Sequence, residues 1–418
     1  MKVCIIASIF HPYTRGGAEV VAQNAAMAFK QAGDEVFVIT TMPWQGWSSL
    51  WPIIEEWQGI RIYRYYPLNI FSFLNIDQHN IFARFIWHVL DMFNLHTYFV
   101  ARDILLEEKP HCIMTHNLKG LGYTVHLSMH HPAFLIYHPQ WLHTIHDIGA
   151  IHPTGLLIHG QENAFLQKFF LARWYARINA KLLGSPNWVI SPSQFLLDYY
   201  IQHGFFLKSK KVVIRNPVLR EVAEEPCESE VTEETFATSA TFDTSVASFL
   251  YLGQLEPYKG LPLLLDMWQE FSKTHPDRIL HIAGRGSMEA RVKKSASANS
   301  SIIFHGFIPH EQIGTLLRQT HFVIIPSLAY ESASMGVAES FTHGVPVIAS
   351  RLGAIPEIVQ DGQNGFLFTP GDRSDLLRVM QSAVDCDWQS LSKRAVEGAA
   401  VFSVVNYIKS VKDLCQES

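Results

Sequence analysis

A chain of 418 residues with 48% hydrophobic and 17% charged residues is too long for one ordinary core and reads as a globular protein of two domains. No apolar run reaches the roughly 18 residues of a membrane-spanning helix. The formal net charge is −5, and the more basic first half, residues 1–221, holds 18 Lys/Arg against 14 Asp/Glu, too small an excess to argue for a nucleic-acid partner.

In chain order, the opening "MKVCIIASIFHPYTRGG" has a short apolar run that breaks into His-Pro and Arg-Gly-Gly. It reads as a first buried strand rather than a signal peptide. "GGAEVVAQNAAMAFKQAG" carries apolar residues at helical spacing and stops at Gly33. Near-continuous apolar runs then recur as "EVFVITT", "GIRIYRY", "HCIMTH", "FLIYH" and "WVISPS". Beyond residue 247 they return as "SFLYLG", "ILHIAG", "SIIFHG", "HFVIIPS" and "VPVIAS". Such runs suit strands buried on both faces of a parallel sheet, and their alternation with helical stretches predicts two doubly wound α/β domains.

Three stretches interrupt the pattern. Residues 71–110 are unusually aromatic and helical in spacing, which fits a packed core, or else a surface for a membrane or lipid-like substrate. Residues 111–159 hold ten of the 21 histidines, at spacings that match no zinc pattern. Residues 222–245 hold seven acids and no base, are rich in Ser and Thr, and read as a linker or surface insertion. The resulting boundaries are a first domain over 1–217, the linker over 218–247, a second domain over 248–400 and a terminal helix over 401–418. Five scattered cysteines, an odd number, favour a reducing cytoplasm without a disulfide framework.

Glycine turns fall where phosphate binds in α/β sheets. "TRGGAE" follows the first strand, "AGRGS" follows "ILHI", and "SMGVAE" opens a helix after "HFVIIPS". Turns without Cβ atoms bring N–H groups close to a ligand, and a helix N-terminus favours anions. Lys259, in the loop "YLGQLEPYKG", places a cation just past a strand end. Glu331 and Glu339 stand eight residues apart among small and apolar residues, one ahead of a helix and one more than a turn inside it. Carboxylates are natural acceptors for paired hydroxyls. With diphosphate at the helix N-terminus between them, the arrangement describes a nucleotide sugar.

These residues carry a family resemblance. The Glu-x7-Glu pair, followed by "HGVPVIAS" and "GAIPEIVQDGQNGFLF", resembles the family-four glycosyltransferases of the GT-B fold. "TIHD", "VISPSQF", "VIRNPV", "LGQLEPYKG", "HIAGRG" and "FHGFIP" follow the same order. The resemblance implies two Rossmann-like domains facing across a cleft. It implies a retaining hexosyltransferase that moves a sugar from a nucleotide diphosphate, UDP or GDP, to a carbohydrate or lipid-linked acceptor in cell-surface polysaccharide or glycolipid synthesis. Carried over, Gly16 and Gly17 let the first domain approach the donor, and His146 touches the donor sugar. Lys259 holds diphosphate, Glu331 contacts the transferred sugar, Glu339 binds the ribose, and the amides of Ser334, Met335 and Gly336 receive phosphate. The family needs neither metal nor cofactor. The lone Asp-x-Asp, "DCD", reads instead as an N-cap, Asp387, for the following helix.

The chain departs from the family pattern at Gln254, usually Arg; at Ala333-Ser334, usually an aromatic residue and Gly; and at Ser340, usually Ala. With Gln254 in place of a cation, Arg285 in "AGRGS" is expected to supply part of the missing charge. A cytoplasmic protein is expected, with peripheral contact at the inner face of the membrane as a further expectation. A sugar-nucleotide epimerase and an inactive scaffold subunit on the same fold remain as alternatives.

Overall fold

The computed structural model describes residues 1–13, 16–132, 134, 138–162, 170–219 and 247–416. The acidic stretch, Thr14 and Arg15 of the first glycine turn, and Leu135–Tyr137 of the expected strand "FLIYH" lie outside the described residues. The chain divides into two units, Met1–Val218 with Phe402–Ser418, and Leu219–Val401.

The first unit opens with β1 (Lys2–Ile6), α1 (Gly17–Gln31) and β2 (Glu35–Thr41). A hairpin of β3 (Ile53–Trp57) and β4 (Ile60–Tyr65) follows, then α2 (Ile81–Met92), α3 (Leu95–Glu108) and β5 (Cys112–Thr115). The half ends with β6 (Gln140–Thr144), α4 (Phe170–Leu183), β7 (Trp188–Ser191), α5 (Gln194–Gln202) and β8 (Lys210–Val213). The eight strands form one sheet in the order β3-β4-β2-β1-β5-β6-β7-β8. Every pairing is parallel except β3 with β4. The first strand of the chain lies mid-sheet with its partners on either side, so the strand order reverses between β1 and β5. That reversal is the doubly wound topology.

The second unit repeats it: β9 (Ser248–Leu252), α6 (Leu261–Thr274), β10 (Ile279–Ala283), α7 (Glu289–Ala298), β11 (Ile302–Gly306), α8 (His310–Arg318) and β12 (Phe322–Ile325). Then come α9 (Met335–Thr342), β13 (Val347–Ser350), β14 (Gly365–Phe368), α10 (Arg373–Asp385) and α11 (Trp388–Gly398). Six parallel strands run β11-β10-β9-β12-β13-β14, reversing between β9 and β12. Phe249 on β9 stacks on Phe322 of β12 with ring centroids 5.8 Å apart, and Trp268 and Phe271 of α6 close over it. This aromatic cluster is the unit's core. Asp387 caps α11, its carboxylate accepting from the Ser390 amide at 3.2 Å.

The last helix, α12 (Val404–Gln416), belongs to the first unit. Its Tyr407, Ile408, Val411 and Leu414 join the core beneath β1 and α1, and Lys412 pairs with Asp34 at 2.8 Å. Cys415 brings its Sγ to 2.8 Å from that of Cys112 on β5, a thiol that burial pushes well above its ordinary pKa.

The aromatic stretch 71–110 is packed core in part: α3 buries Val100, Ala101, Ile104 and Leu105, while one face of α2 stays open. α2 buries Trp87, Asp91 and Met92. Trp87 donates to the Phe71 carbonyl, and Asp91 accepts the Gly120 amide on both oxygens. Burial raises the Asp91 carboxyl to about 7. The opposite face is apolar yet open: Ile81, Phe82 and Phe85 are 88%, 72% and 63% exposed. The helix therefore reverses the usual rule that the apolar stripe faces the core.

Candidate functional site

In the second unit the site is built at the strand-order reversal, where open α/β sheets bind ligands beyond the strand carboxyl ends. After β9 the chain runs through Gly253 and Gln254 into a 3-10 turn, Pro257–Lys259, and then α6. After β12 it runs from Pro326 to Ser334 before α9 begins. The two loops are tied together. The amides of Leu328 and Ala329 both donate to the Tyr258 carbonyl, at 2.9 and 3.0 Å. Gly260, at φ 77°, lets them close, because a Cβ there would sit 1.7 Å from the Pro326 carbonyl oxygen.

This clamp sets Lys259 against Glu331, Nζ to Oε1 2.8 Å. Burial alone would lower the Lys259 pKa, but the adjoining carboxylate, by charge and hydrogen bond, holds the ammonium above the ordinary lysine value. Glu331 is fixed from behind as well. Ala354 donates its amide to the Glu331 carbonyl at 2.8 Å. Gly353, at φ 61°, leaves room for the Glu331 backbone, which a Cβ would meet at 2.5 Å. Gly353 and Ala354 come from the "GAIPE" segment, so that string acts as the backstop of the first glutamate.

Ser334 caps α9 with φ 45° and ψ 67°, in the left-handed region. Glycine adopts that conformation without cost; a residue with a Cβ does not. The family's usual Gly at this position thus has a backbone reason, and this chain bears the strain. Met335 and Gly336 form the first turn of α9, where amides lack helical acceptors and the helix dipole is positive. Glu339 follows on the same helix, part-exposed. Ser340 is buried, and its hydroxyl donates to the Gly336 carbonyl at 2.6 Å, so the extra oxygen is satisfied within the helix.

Gln254 is exposed, and its side-chain carbonyl accepts from the Tyr258 hydroxyl at 2.9 Å. Arg285 lies in the neighbouring loop after β10, whose backbone accepts the Leu255 amide at 2.9 Å. Its guanidinium stacks over the Phe307 ring, 4.6 Å from the centroid.

In the first unit, Gly16 donates its amide to Glu19 at 2.8 Å and Gly17 starts α1. His146 follows β6, and its Nε2 lies 2.9 Å from Nδ1 of His116, which follows β5. His116 is fully buried, and Thr115 meets His143 at 2.9 Å. His116, His143 and His146 line a cavity of about 40 Å³ with Lys119, Tyr123 and Asp147. Burial drives the imidazoles toward the neutral form: His146 falls to about 4, His143 to about 3, and His116 lies well below its ordinary value. Among the described residues no three His, Cys, Asp or Glu side chains converge as metal ligands. Sequence reasoning missed His116, Gly353 and Tyr258. The signal for His116 was its position, one residue past a buried strand in "HCIMTH", matching His146 after "LHTI".

Two family models cover most of the chain. One, Glycosyltransferase Family 4, matches residues 15–222, and the other, Glycosyl transferases group 1, matches residues 233–401. The chain belongs to the family-four glycosyltransferases of the GT-B fold. Among curated relatives, an uncharacterized 42.6 kDa protein in the cps region of Klebsiella pneumoniae is 22% identical over 359 residues, 86% of this chain and 87% of its own. Sucrose-phosphate synthase from Thermosynechococcus elongatus superposes with a TM-score of 0.70 at 17% identity, over 100% of both chains. HepE of Anabaena, in complex with UDP and glucose, superposes with a TM-score of 0.66 at 18% identity, also over 100% of both.

Two measurements check this account of the glycosyltransferase. Ser334→Gly relieves the left-handed strain and is expected to raise stability by about 1 kcal/mol, read as a higher urea midpoint; an unchanged or lower midpoint contradicts it. The buried histidines bind protons more weakly folded than unfolded, so as pH falls through about 6.5 the unfolded chain protonates first. Asp91, its carboxyl raised to about 7, acts in the opposite sense over the same range, so the test is made in an Asp91→Asn background: stability should drain as pH falls from about 6.5 to 4, and a Tm that holds level there would refute neutral burial.

Proposed function

We propose that this glycosyltransferase moves a hexosyl group from a nucleoside diphosphate sugar, UDP or GDP, to an acceptor hydroxyl with retention at the anomeric carbon. The carrying observation is the Lys259–Glu331 pair held at the mouth of the β9/β12 reversal, beside the N-terminus of α9. The transfer breaks the bond from the sugar carbon to the diphosphate oxygen and forms one to the acceptor oxygen. The hydroxyl proton leaves with the diphosphate. Negative charge grows on the leaving group, so fixed cations and amide donors there stabilise the transition state most. Lys259 and the first amides of α9 fill that role. Glu331 accepts hydrogen bonds from the transferred sugar, and Glu339, a turn further along, accepts them from the ribose. His146, in the first unit, offers a neutral imidazole suited to hydrogen bonding a sugar hydroxyl. The UDP and glucose named for the HepE complex support a uridine donor. The cps setting of the Klebsiella relative supports a role in surface polysaccharide assembly.

In this reading no divalent ion is needed, because the ammonium and helix terminus neutralise the diphosphate. It also places the enzyme at a membrane surface. The open stripe of Phe82, Phe85, Ile86 and Val89 repeats at helical spacing along α2 and ends at its C-cap, Phe93, as an interfacial helix requires. No helix among the described residues is long and apolar enough to cross a membrane, so contact would be peripheral, toward a lipid-linked acceptor.

Glu331→Gln should cut kcat strongly at near-normal UDP affinity. Glu339→Ala should weaken UDP binding by about tenfold or more, since a hydrogen bond to a charged acceptor is worth roughly 1.5–3 kcal/mol. Both effects should persist in chelator. Wild-type behaviour of both variants, or activity restored only by manganese or magnesium, would defeat the reading. For the membrane, flotation with phosphatidylglycerol vesicles should carry the protein upward, and Phe82→Glu with Phe85→Glu should leave it at the bottom. Failure of the wild-type protein to float removes the membrane from the account.

A further inference from the structure

The positive excess of the first half is concentrated in one stretch. Residues 170–215 carry seven Lys or Arg and a single acid, Asp198. In the fold these cations gather along a groove of about 1300 Å³ in the first unit. Arg177 and Lys181 line one wall from α4, Lys208 and Lys210 the other from the entry to β8, and among the described residues no Asp or Glu lines it. Two indoles complete it. Trp174, one turn before Arg177 on the same helix face, is 61% exposed, and Trp188 lies 5.0 Å under the Lys210 ammonium.

The position separates this groove from the transfer chemistry. Gln140, Trp188 and Lys210, its floor, are the first residues of β6, β7 and β8, whereas ligand chemistry in such sheets sits beyond the last residues. His116 and His146 occupy that opposite edge. The groove is also larger than the roughly 300–1,000 Å³ of a site for one small molecule, and suits an extended chain.

We propose that the groove binds an anionic oligosaccharide, a segment of acceptor or product glycan bearing carboxylate or phosphate groups. An indole presents an apolar face to the C–H face of a sugar ring. Arg and Lys pair with carboxylate or phosphate, Arg bidentately. A neutral glycan offers no counter-charge to Arg177, Lys181 and Lys208, and a flat bilayer would leave a concave floor of this volume unfilled. Held there, a charged polymer stays on the enzyme between transfers, and its local concentration at the reaction edge rises.

Calorimetric titration with an oligogalacturonate tests this without donor or turnover, so the result is independent of the proposed donor site. The uronate should bind, with affinity falling as NaCl rises. Arg177→Glu with Lys181→Glu should weaken it by about tenfold or more. Trp174→Ala should weaken it at low and high salt alike, because stacking is not screened. These side chains are exposed, and an unchanged Tm verifies that the variants fold. A neutral maltooligosaccharide should bind far more weakly. Absent uronate binding, equal binding by the charge-reversed variant, or equal binding of the neutral glycan overturns the proposal. Phosphatidylglycerol vesicles provide the last arm: if the charge reversal abolishes vesicle binding while the uronate never binds, the groove is a membrane contact and the glycan assignment falls.

Discussion

The ion pair between Lys259 and Glu331 is the contact on which the second unit's loops converge. It joins the loop after β9 to the loop after β12, the two strands flanking the reversal of order. Neither residue is placed by its own element alone. Lys259 arrives through a 3-10 turn whose Tyr258 carbonyl anchors the opposite loop, and Glu331 is backed by Gly353 and Ala354 from a third segment. Two glycines at positive φ, Gly260 and Gly353, permit backbones to approach where a Cβ would collide with a carbonyl. The pair is also electrostatically economical. Burial pulls an ammonium toward its neutral form, and the carboxylate beside Lys259 outweighs that pull and holds it charged. The cation needed for a diphosphate is thus kept charged before a donor arrives.

The parallel strands were legible because they are buried on both faces and so read as continuous apolar runs; "KVCII" and "HFVII" needed no context. The β3–β4 hairpin was legible only in its second strand. β3 carries Glu55 and Glu56 and lies at the sheet edge, mostly exposed, so its apolar signal is broken. β6 was missed because "QWLHT" mixes Gln and His into a strand whose His143 is buried neutral. Periodicity identified α2 as a helix but could not say whether its apolar face met protein. The answer lay in the other face, where Trp87 and Asp91 hold the helix to Phe71 and Gly120. At the site, single residues and their loops were legible from spacing. The partners that fix them, His116 and Gly353, come from distant segments, so their contacts with His146 and Glu331 become visible only once the strands are assembled.

The departures from the family pattern differ in kind. Ser340 is accommodated by a bond to its own helix, and Gln254 accepts from a neighbouring tyrosine. Ser334 alone carries backbone strain, at the residue that aims the first amides of α9. Strain of this kind persists where surrounding structure over-determines a conformation, and here the clamp on the preceding loop does so. Arg285, stacked on Phe307, is a cation with a defined orientation and no ion pair to disrupt among the described contacts.

The placement of α12 has a consequence for biosynthesis. The first unit's core includes Tyr407, Ile408, Val411 and Leu414, and Lys412 answers Asp34, yet these residues leave the ribosome after everything from Leu219 to Val401. During translation the second unit has its whole sequence available first, although it is encoded second. The first sheet must wait, with the α1 side of its core uncovered, for the last helix to arrive. A nascent chain stalled just before residue 404 would expose that apolar face to chaperones or to other chains, and the finished one would not.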